Sequence, residues 1–404
     1  MAIPKSHESF TGLPGWLILL GVLTAVGSLS VDMYLPSFPR VVADLHTDAG
    51  SVQRTLSMFF IGLALGQLVY GPLSDRFGRK PPLLFGMALY TAASLACMLA
   101  PTIEALQWSR LLQALGGCAG IIIPRAAIRD RCDALSAARA LSLVMLVMGA
   151  APILAPQVGS WVLQWSGWRA IFGVLMLFGV ACLVAIYLRM DETVDRALAS
   201  RLNFRSIARN YAELFRDRQF LTFSLCGGFG SAAMFAYIAG SPFVFMELYG
   251  ISEHLYGWVF GANAVALIAG SQINARLLAT YSPRQILACA VFGPFLAGAV
   301  LLVLRLNGIA GLPILLPALF LAIGSLGFVT PNATALALQH QGRRAGAATA
   351  LMGTLQLSLA TLSSAAISVW QARTELPLAA VIAACGAGAL LMHTLAPREQ
   401  SGSP

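Results

Sequence analysis

Charge is scarce in this chain. Asp, Glu, Lys and Arg make up 11% of its 404 residues and hydrophobic residues make up 58%, whereas soluble domains run near roughly 25% charged. That composition excludes an ordinary soluble globular protein. Histidine is also sparse, with five dispersed residues. The seven cysteines are scattered, nearly all within apolar runs and with no CxxC spacing. Neither a metal centre nor a disulfide framework is implied, and the cysteines read as small buried hydrophobes. HExxH, GxSxG and Walker sequences are all missing, so there is no basis for an enzyme. Nor does the chain carry an energy source or any implied cofactor. Any uphill work would have to draw on a gradient.

What fills the chain is apolar runs long enough to cross a bilayer, which takes ~20 residues as helix. Read against their breaks they give twelve spans, near 15–37, 51–73, 81–100, 104–125, 138–163 and 168–189, then 219–246, 255–278, 285–304, 312–334, 344–370 and 376–395. The first run is too long for a signal-peptide core and reads as a retained helix. The expected fold is an all-α polytopic membrane protein whose transmembrane helices form two six-helix halves, 1–189 and 219–404. Between them, 190–218 reads as a cytoplasmic linker. Its Phe204, Ile207, Tyr211, Leu214 and Phe215 fall at helical spacing among charged residues, the pattern of a helix lying on the membrane surface.

Placing the N-terminus in the cytoplasm puts 20 Lys and Arg on that side and five on the other, with Arg110 left inside a helix. The positive-inside bias therefore places both termini in the cytoplasm. It also accounts for the net charge of +9 without a nucleic-acid partner. The lipid bilayer is the implied partner.

The first span carries one ionisable group, Asp32, followed by Met33, Tyr34, Leu35 and Pro36. Two readings stand. Asp32 is a solvated residue just past the membrane edge, or it is a carboxylate inside the span, which costs several kcal/mol unless it is paired, protonated or facing water. The apolar residues beyond it and the lone Arg110 in the fourth span favour the second, with Asp32 as a proton carrier. Arg110 and Gln113 sit one turn apart on one helix face. Arg110 reads either as a snorkelling interfacial residue or as a buried partner for Asp32. Both residues fall in the outer half of their spans.

Between spans two and three the chain reads Gly71-Pro-Leu-Ser-Asp75-Arg76-Phe-Gly78-Arg79-Lys80-Pro81. An ordinary positive-inside loop would satisfy the basic residues alone, but the ordered combination resembles the signature cytoplasmic loop of the major facilitator superfamily. That resemblance implies that Asp75 and Arg79 are gating residues. Arg110 with Gln113 also matches the family's helix-four motif, in which a buried arginine is linked to proton coupling. Span five carries Met148, Gly149, Pro152, Pro156 and Gly159. Small residues and prolines permit close, bent packing, and the string partly resembles the helix-five motif of the antiporter branch. Ala151 replaces its usual glycine.

Taken together, Ser30-Val-Asp32-Met-Tyr34-Leu-Pro36-Ser-Phe-Pro39, Gly66-Gln-Leu-Val-Tyr70-Gly-Pro72, Arg129-Asp130, Ala155-Pro156-x-x-Gly159 and Trp168-Arg-x-Ile-Phe172 are similar to the bicyclomycin/chloramphenicol-resistance branch of drug:proton antiporters. The similarity is thinner in the second half, at Ala239-Gly240-Ser241-Pro242-Phe243-Val244 and Asn274-Ala-Arg276. It implies a monomeric exporter of small amphipathic drugs, driven by protons. Candidate cavity residues are Tyr34, Gln113, Met148 and Pro152, with Phe235, Tyr237, Phe243, Asn263, Asn332 and Gln356 in the second half. Each of these also reads as a packed interhelical residue. A proton-coupled importer of a nutrient and a non-transporting receptor or scaffold remain as alternatives.

Overall fold

The computed structural model describes residues 15–131, 134–192, 204–309, 311–370 and 374–397. Among them every regular element is helical, as hydrocarbon requires: a helix satisfies its N–H and C=O groups within its own segment. Local chemistry sets the ends. Prolines occupy the first turns of α5 (Lys80–Met98), α11 (Pro283–Ala290), α13 (Leu312–Leu338) and α15 (Leu376–Leu395), where a missing N–H costs nothing. The Asp217 carboxylate accepts from the Phe220 N–H at the start of α9 (Arg218–Pro242), and Ser252 does the same for α10 (Glu253–Leu277).

The first crossing runs farther than the apolar pattern predicts. Helices α1 (Gly15–Thr24), α2 (Val26–Asp32) and α3 (Phe38–Asp44), with a 3₁₀ turn over Leu35–Ser37, form one segment from Gly15 to Asp44 rather than 15–37. Pro36 and Pro39 loosen the segment without ending it. The Ser30 and Ser37 hydroxyls donate back to Val26 O and Tyr34 O at 2.7 and 2.6 Å, contacts that bend helices. Asp32 therefore lies seventeen residues into a thirty-residue crossing, not near its outer end.

Ten helices among the described residues are long and apolar enough to cross a membrane. Two further crossings complete the twelve. Helix α7 (Ala134–Arg189) has 56 residues, roughly 84 Å at ~1.5 Å per residue, nearly three hydrocarbon thicknesses. It turns at Gly167, whose φ of 78° belongs to the left-handed region that favours glycine, and so makes the fifth and sixth crossings. The other is α10, uncharged from Leu255 to Ala275.

By packing, the chain divides into Met1–Thr47 with Ile61–Leu202, and Asp48–Phe60 with Asn203–Pro404. Helix α4 (Ala49–Phe77) is shared: its first turns pack with the second unit, where Ser57 donates to Ser364 at 3.0 Å and Phe60 meets Phe235 edge-on at 4.4 Å. Within each unit the second and fourth crossings touch backbone to backbone. A Cβ on Gly62 would fall 2.3 Å from Leu111 O, on α6 (Ile103–Arg131), and one on Gly270 would fall 2.3 Å from Gly324 O, on α13. Helix α8 (Phe204–Arg216) buries Leu214 and half-buries Tyr211 against the second unit, while Glu213 pairs with Arg209 and Arg344.

The Gly167 turn is directly testable. An alkaline phosphatase reporter fused after Gly167 should be active, and one fused after Glu192 inactive; equal activity at both points would make 134–189 a single element.

Candidate functional site

In the first unit the site is built on Arg110, whose side chain is fully buried. It donates to Gln113 Oε1 at 2.5 Å, and the Gln113 amide donates to Ser94 Oγ at 2.8 Å on α5. The Ser94 hydroxyl in turn donates to Tyr90 O at 2.7 Å. The guanidinium also lies 5.1 Å from the Tyr34 ring and 5.7 Å from the Phe172 ring, within cation–π range. A snorkelling Arg110 is thereby excluded. Gln113 accepts the guanidinium's hydrogen bond one turn along the same helix.

Asp32 is 4% exposed, which excludes the solvated-loop reading. The structure does not pair it with Arg110: among the described residues no hydrogen bond or ion pair involves its carboxylate. Its depth is set by the fifth crossing. A Cβ on Gly159 would fall 2.2 Å from Met33 O, so only glycine lets the break after Asp32 seat there. Pro156 is buried beside it, and Pro152 and Gly149 are half-buried on the same helix. The Met148 side chain lies outside the described residues. Next to Asp32 in sequence, Ser30 shares a hydrogen bond with Tyr90 at 2.9 Å, joining the first crossing to the Ser94 chain.

Toward the outer end, Tyr34 packs on Phe172 at 5.3 Å and Phe172 on Trp168 at 6.1 Å. Trp168 Nε1 donates to Asp44 at 2.9 Å, and Arg169 pairs with the same carboxylate while reaching Ala100 O at 3.2 Å. An aromatic file thus runs from this tie down to Arg110.

At the opposite end the motif loop forms an ion cluster around a buried Arg79. The Arg79 guanidinium donates to Asp75 at 2.6 Å, Asp130 at 2.8 Å and Ser74 at 2.7 Å. Burial works against its charge, but the bonds to Asp130 and Asp75 outweigh that and hold its pKa above the usual arginine range. Gly78, at φ 88°, leaves no room for a Cβ, which would fall 2.4 Å from the Glu192 carboxylate. Glu192 instead accepts from the Arg79 and Lys80 backbone N–H groups at 2.7 and 3.2 Å, an anion on a helix N-terminus. Lys80 Nζ donates to Tyr187 O at 3.0 Å, and exposed Arg76 lies over the Phe77 ring. Gly71 has open space around it. Asp130 and Phe172 stand in sequence stretches that carry the family resemblance, although the side chains they meet were not evident. Glu192 gave no signal, being 112 residues from Lys80.

In the second unit Tyr237 stacks on Phe260 at 5.5 Å and 17°, and Asn263 donates to Val259 O at 3.0 Å while its Oδ1 has no hydrogen-bond partner among the described residues. Asn332 donates to Asn274 Oδ1 at 2.6 Å and to Phe328 O at 2.8 Å, so it clamps α13 to α10. Gln356 is half-buried near Gly227. Phe243, on a π-helical turn over Phe243–Leu248, lines a separate outer cavity.

A family model described as Major Facilitator Superfamily matches residues 20–364. A Bacillus subtilis (strain 168) protein named as uncharacterized MFS-type transporter YdgK is 36% identical over 367 residues, 90% of each chain. A bicyclomycin resistance protein homolog of Haemophilus influenzae is 28% identical over 370 residues, covering 92% of this chain and 93% of the relative. The solved structure of a D-xylose-proton symporter matches 96% of this chain and 99% of its own with a TM-score of 0.74 at 14% identity, a likeness of fold.

Gln113→Leu leaves the Arg110 bond unmade and should cost about 1.5–3 kcal/mol, the worth of a hydrogen bond to a charged group. Gln113→Glu restores the acceptor and should recover most of that loss. Thermal melting of the detergent-purified protein measures both, and an unchanged Gln113→Leu would show that Arg110 is held by other contacts.

Proposed function

This chain belongs to the major facilitator superfamily, a multi-pass inner-membrane transporter and not an enzyme, and we propose that it exports small amphipathic drugs in exchange for protons. The observation that carries the reading is Asp32: a carboxylate buried in mid-crossing with no partner among the described residues. Such a group is expensive in a membrane and is retained where it works. Its chemistry suits a proton carrier. Protonated, it tolerates its buried seat; ionised, it needs water or a cation.

Arg110 supplies a fixed positive charge across the Tyr34 ring, two residues along from Asp32. Among the described residues it forms no salt bridge with Asp32 that would lock the acid. In the proposed cycle Asp32 takes a proton when open to the outside and loses it toward the cytoplasm, with drug and proton competing for one site. A proton moving inward gains roughly 2.3 kcal/mol per 100 mV, more than the ~1.4 kcal/mol of a tenfold gradient of a neutral solute. Within the second unit, the Tyr237–Phe260 stack and Asn263 suit an apolar cargo with few fixed hydrogen bonds, and Gln356 is assigned to cargo contact as well. The Asp75–Arg79–Asp130 cluster serves as the cytoplasmic gate, working in a monomer. The resistance name of the Haemophilus influenzae relative supports a drug as cargo.

Asp32→Asn tests the proposal. In everted vesicles energised by respiration, the wild type should accumulate an amphipathic antibiotic such as chloramphenicol and acidification-linked flux should follow it. The variant should show neither while eluting as a folded protein. Undiminished accumulation in Asp32→Asn would remove the mechanism, and accumulation only in right-side-out vesicles would make the protein an importer.

A further inference from the structure

The seven residues of α2, which end at Asp32, stand between two tightened turns. The Ala25 N–H bonds Val22 O at 3.1 Å and the Tyr34 N–H bonds Val31 O at 3.2 Å, each reaching back three residues where an α-helix reaches back four. Such turns inside a long helix are common at hinges. Among the described residues one side-chain hydrogen bond ties α2 to another crossing: Tyr90, on α5, meets Ser30 at 2.9 Å. The Ser30 hydrogen goes to Val26 O at 2.7 Å, so the Tyr90 hydroxyl is the donor.

Tyr90 is itself tightly held. It is fully buried, and a Cβ on Gly117 of α6 would fall 3.1 Å from its Cδ2, while one on Gly179 of α7 would fall 3.1 Å from its Cδ1. Two crossings therefore close on the two edges of one ring. The Tyr90 backbone oxygen accepts from Ser94, where the chain of bonds from Arg110 through Gln113 ends. One residue thus joins the network that seats the fixed charge to the helix that carries the acid. Ser30 and Asp32 are two residues apart, about 200° around a helix of ~3.6 residues per turn. With Ser30 turned toward α5, Asp32 projects from nearly the opposite side of α2. That helix cannot turn about its axis without breaking the Tyr90–Ser30 bond.

We propose that Tyr90 is a positioning residue for the proton-carrying acid: its ring, wedged between Gly117 and Gly179, and its hydroxyl, bonded to Ser30, fix the rotational setting of α2 and so the place of Asp32. The inference rests on the reading of Asp32 as the working acid. Tyr90 acts through Ser30 and needs no contact with cargo. Without that bond a short helix loosened at both ends presents its acid in several orientations. A group that must exchange with each side in turn then loses rate, because the productive orientation is only partly occupied.

The test is infrared difference spectroscopy of the full-length protein in lipid nanodiscs at acid pH, following the protonated-carboxyl stretch that Asp32→Asn removes. Tyr90→Phe keeps the ring in its slot and deletes only the hydroxyl, and it should shift or broaden that band. Ser30→Ala should alter the band in the same way, and the double variant no further, since both changes remove one bond. In everted vesicles Tyr90→Phe should lower the maximal rate of chloramphenicol accumulation about tenfold with KM unchanged, the kinetic equivalent of one hydrogen bond. The inference is overturned by a wild-type band in Tyr90→Phe, whatever its melting temperature, by additive effects in the double variant, or by a spectrum that Asp32→Asn leaves unaltered. Undiminished accumulation in Asp32→Asn overturns the export reading instead. The band needs no transport, so it still decides whether Tyr90 positions the acid.

Discussion

The hydrogen bond from Arg110 to Gln113, continued through Ser94 to the backbone of α5, is what allows a permanent charge at full burial in the fourth crossing. A membrane interior offers that guanidinium no water, so its protein must replace the hydration shell. Part of that replacement comes from one amide oxygen and the faces of Tyr34 and Phe172. The aromatic file of Tyr34, Phe172 and Trp168 therefore has two duties: it packs three crossings together and it spreads the field of the charge. Asp32 sits next to this array without being consumed by it.

The same economy recurs at the cytoplasmic end. Arg79 is nearly buried, but there the charge is neutralised outright by two carboxylates, giving a rigid knot and not a poised site. The contrast separates the two arginines by surroundings: Arg79 is held by two carboxylates, whereas Arg110 bonds a neutral amide and lies over aromatic rings. Close backbone contacts fix the helices that carry them. Gly62 in the first unit and Gly270 in the second admit carbonyls of the fourth crossing of each unit, and no larger residue fits without moving a backbone. In the absence of a hydrophobic drive between helices in lipid, such contacts are the main means of association.

Much of this was legible in the residues. Apolar run lengths marked the crossings, because hydrocarbon thickness sets them directly. The loop around Asp75 and Arg79 and the Arg110–Gln113 pair were legible because their spacing puts them on one turn or one face. The depth of Asp32 was not. The apolar run ends near residue 37, whereas a serine hydroxyl bond and a 3₁₀ turn carry the segment on to Asp44. Long-range partners were equally hidden, since nothing near Gly78 announces Glu192, and nothing in Asn332 says that Asn274 will occupy its amide. The fifth and sixth crossings were separable by their apolar runs, although the backbone between them bends only at Gly167.

The Glu192 carboxylate, clasped to the start of α5, has a mechanical consequence. The clasp ties the end of the sixth crossing to the start of the third, so a pull on the end of α7 would load the two hydrogen bonds at Arg79 and Lys80 before straining either helix.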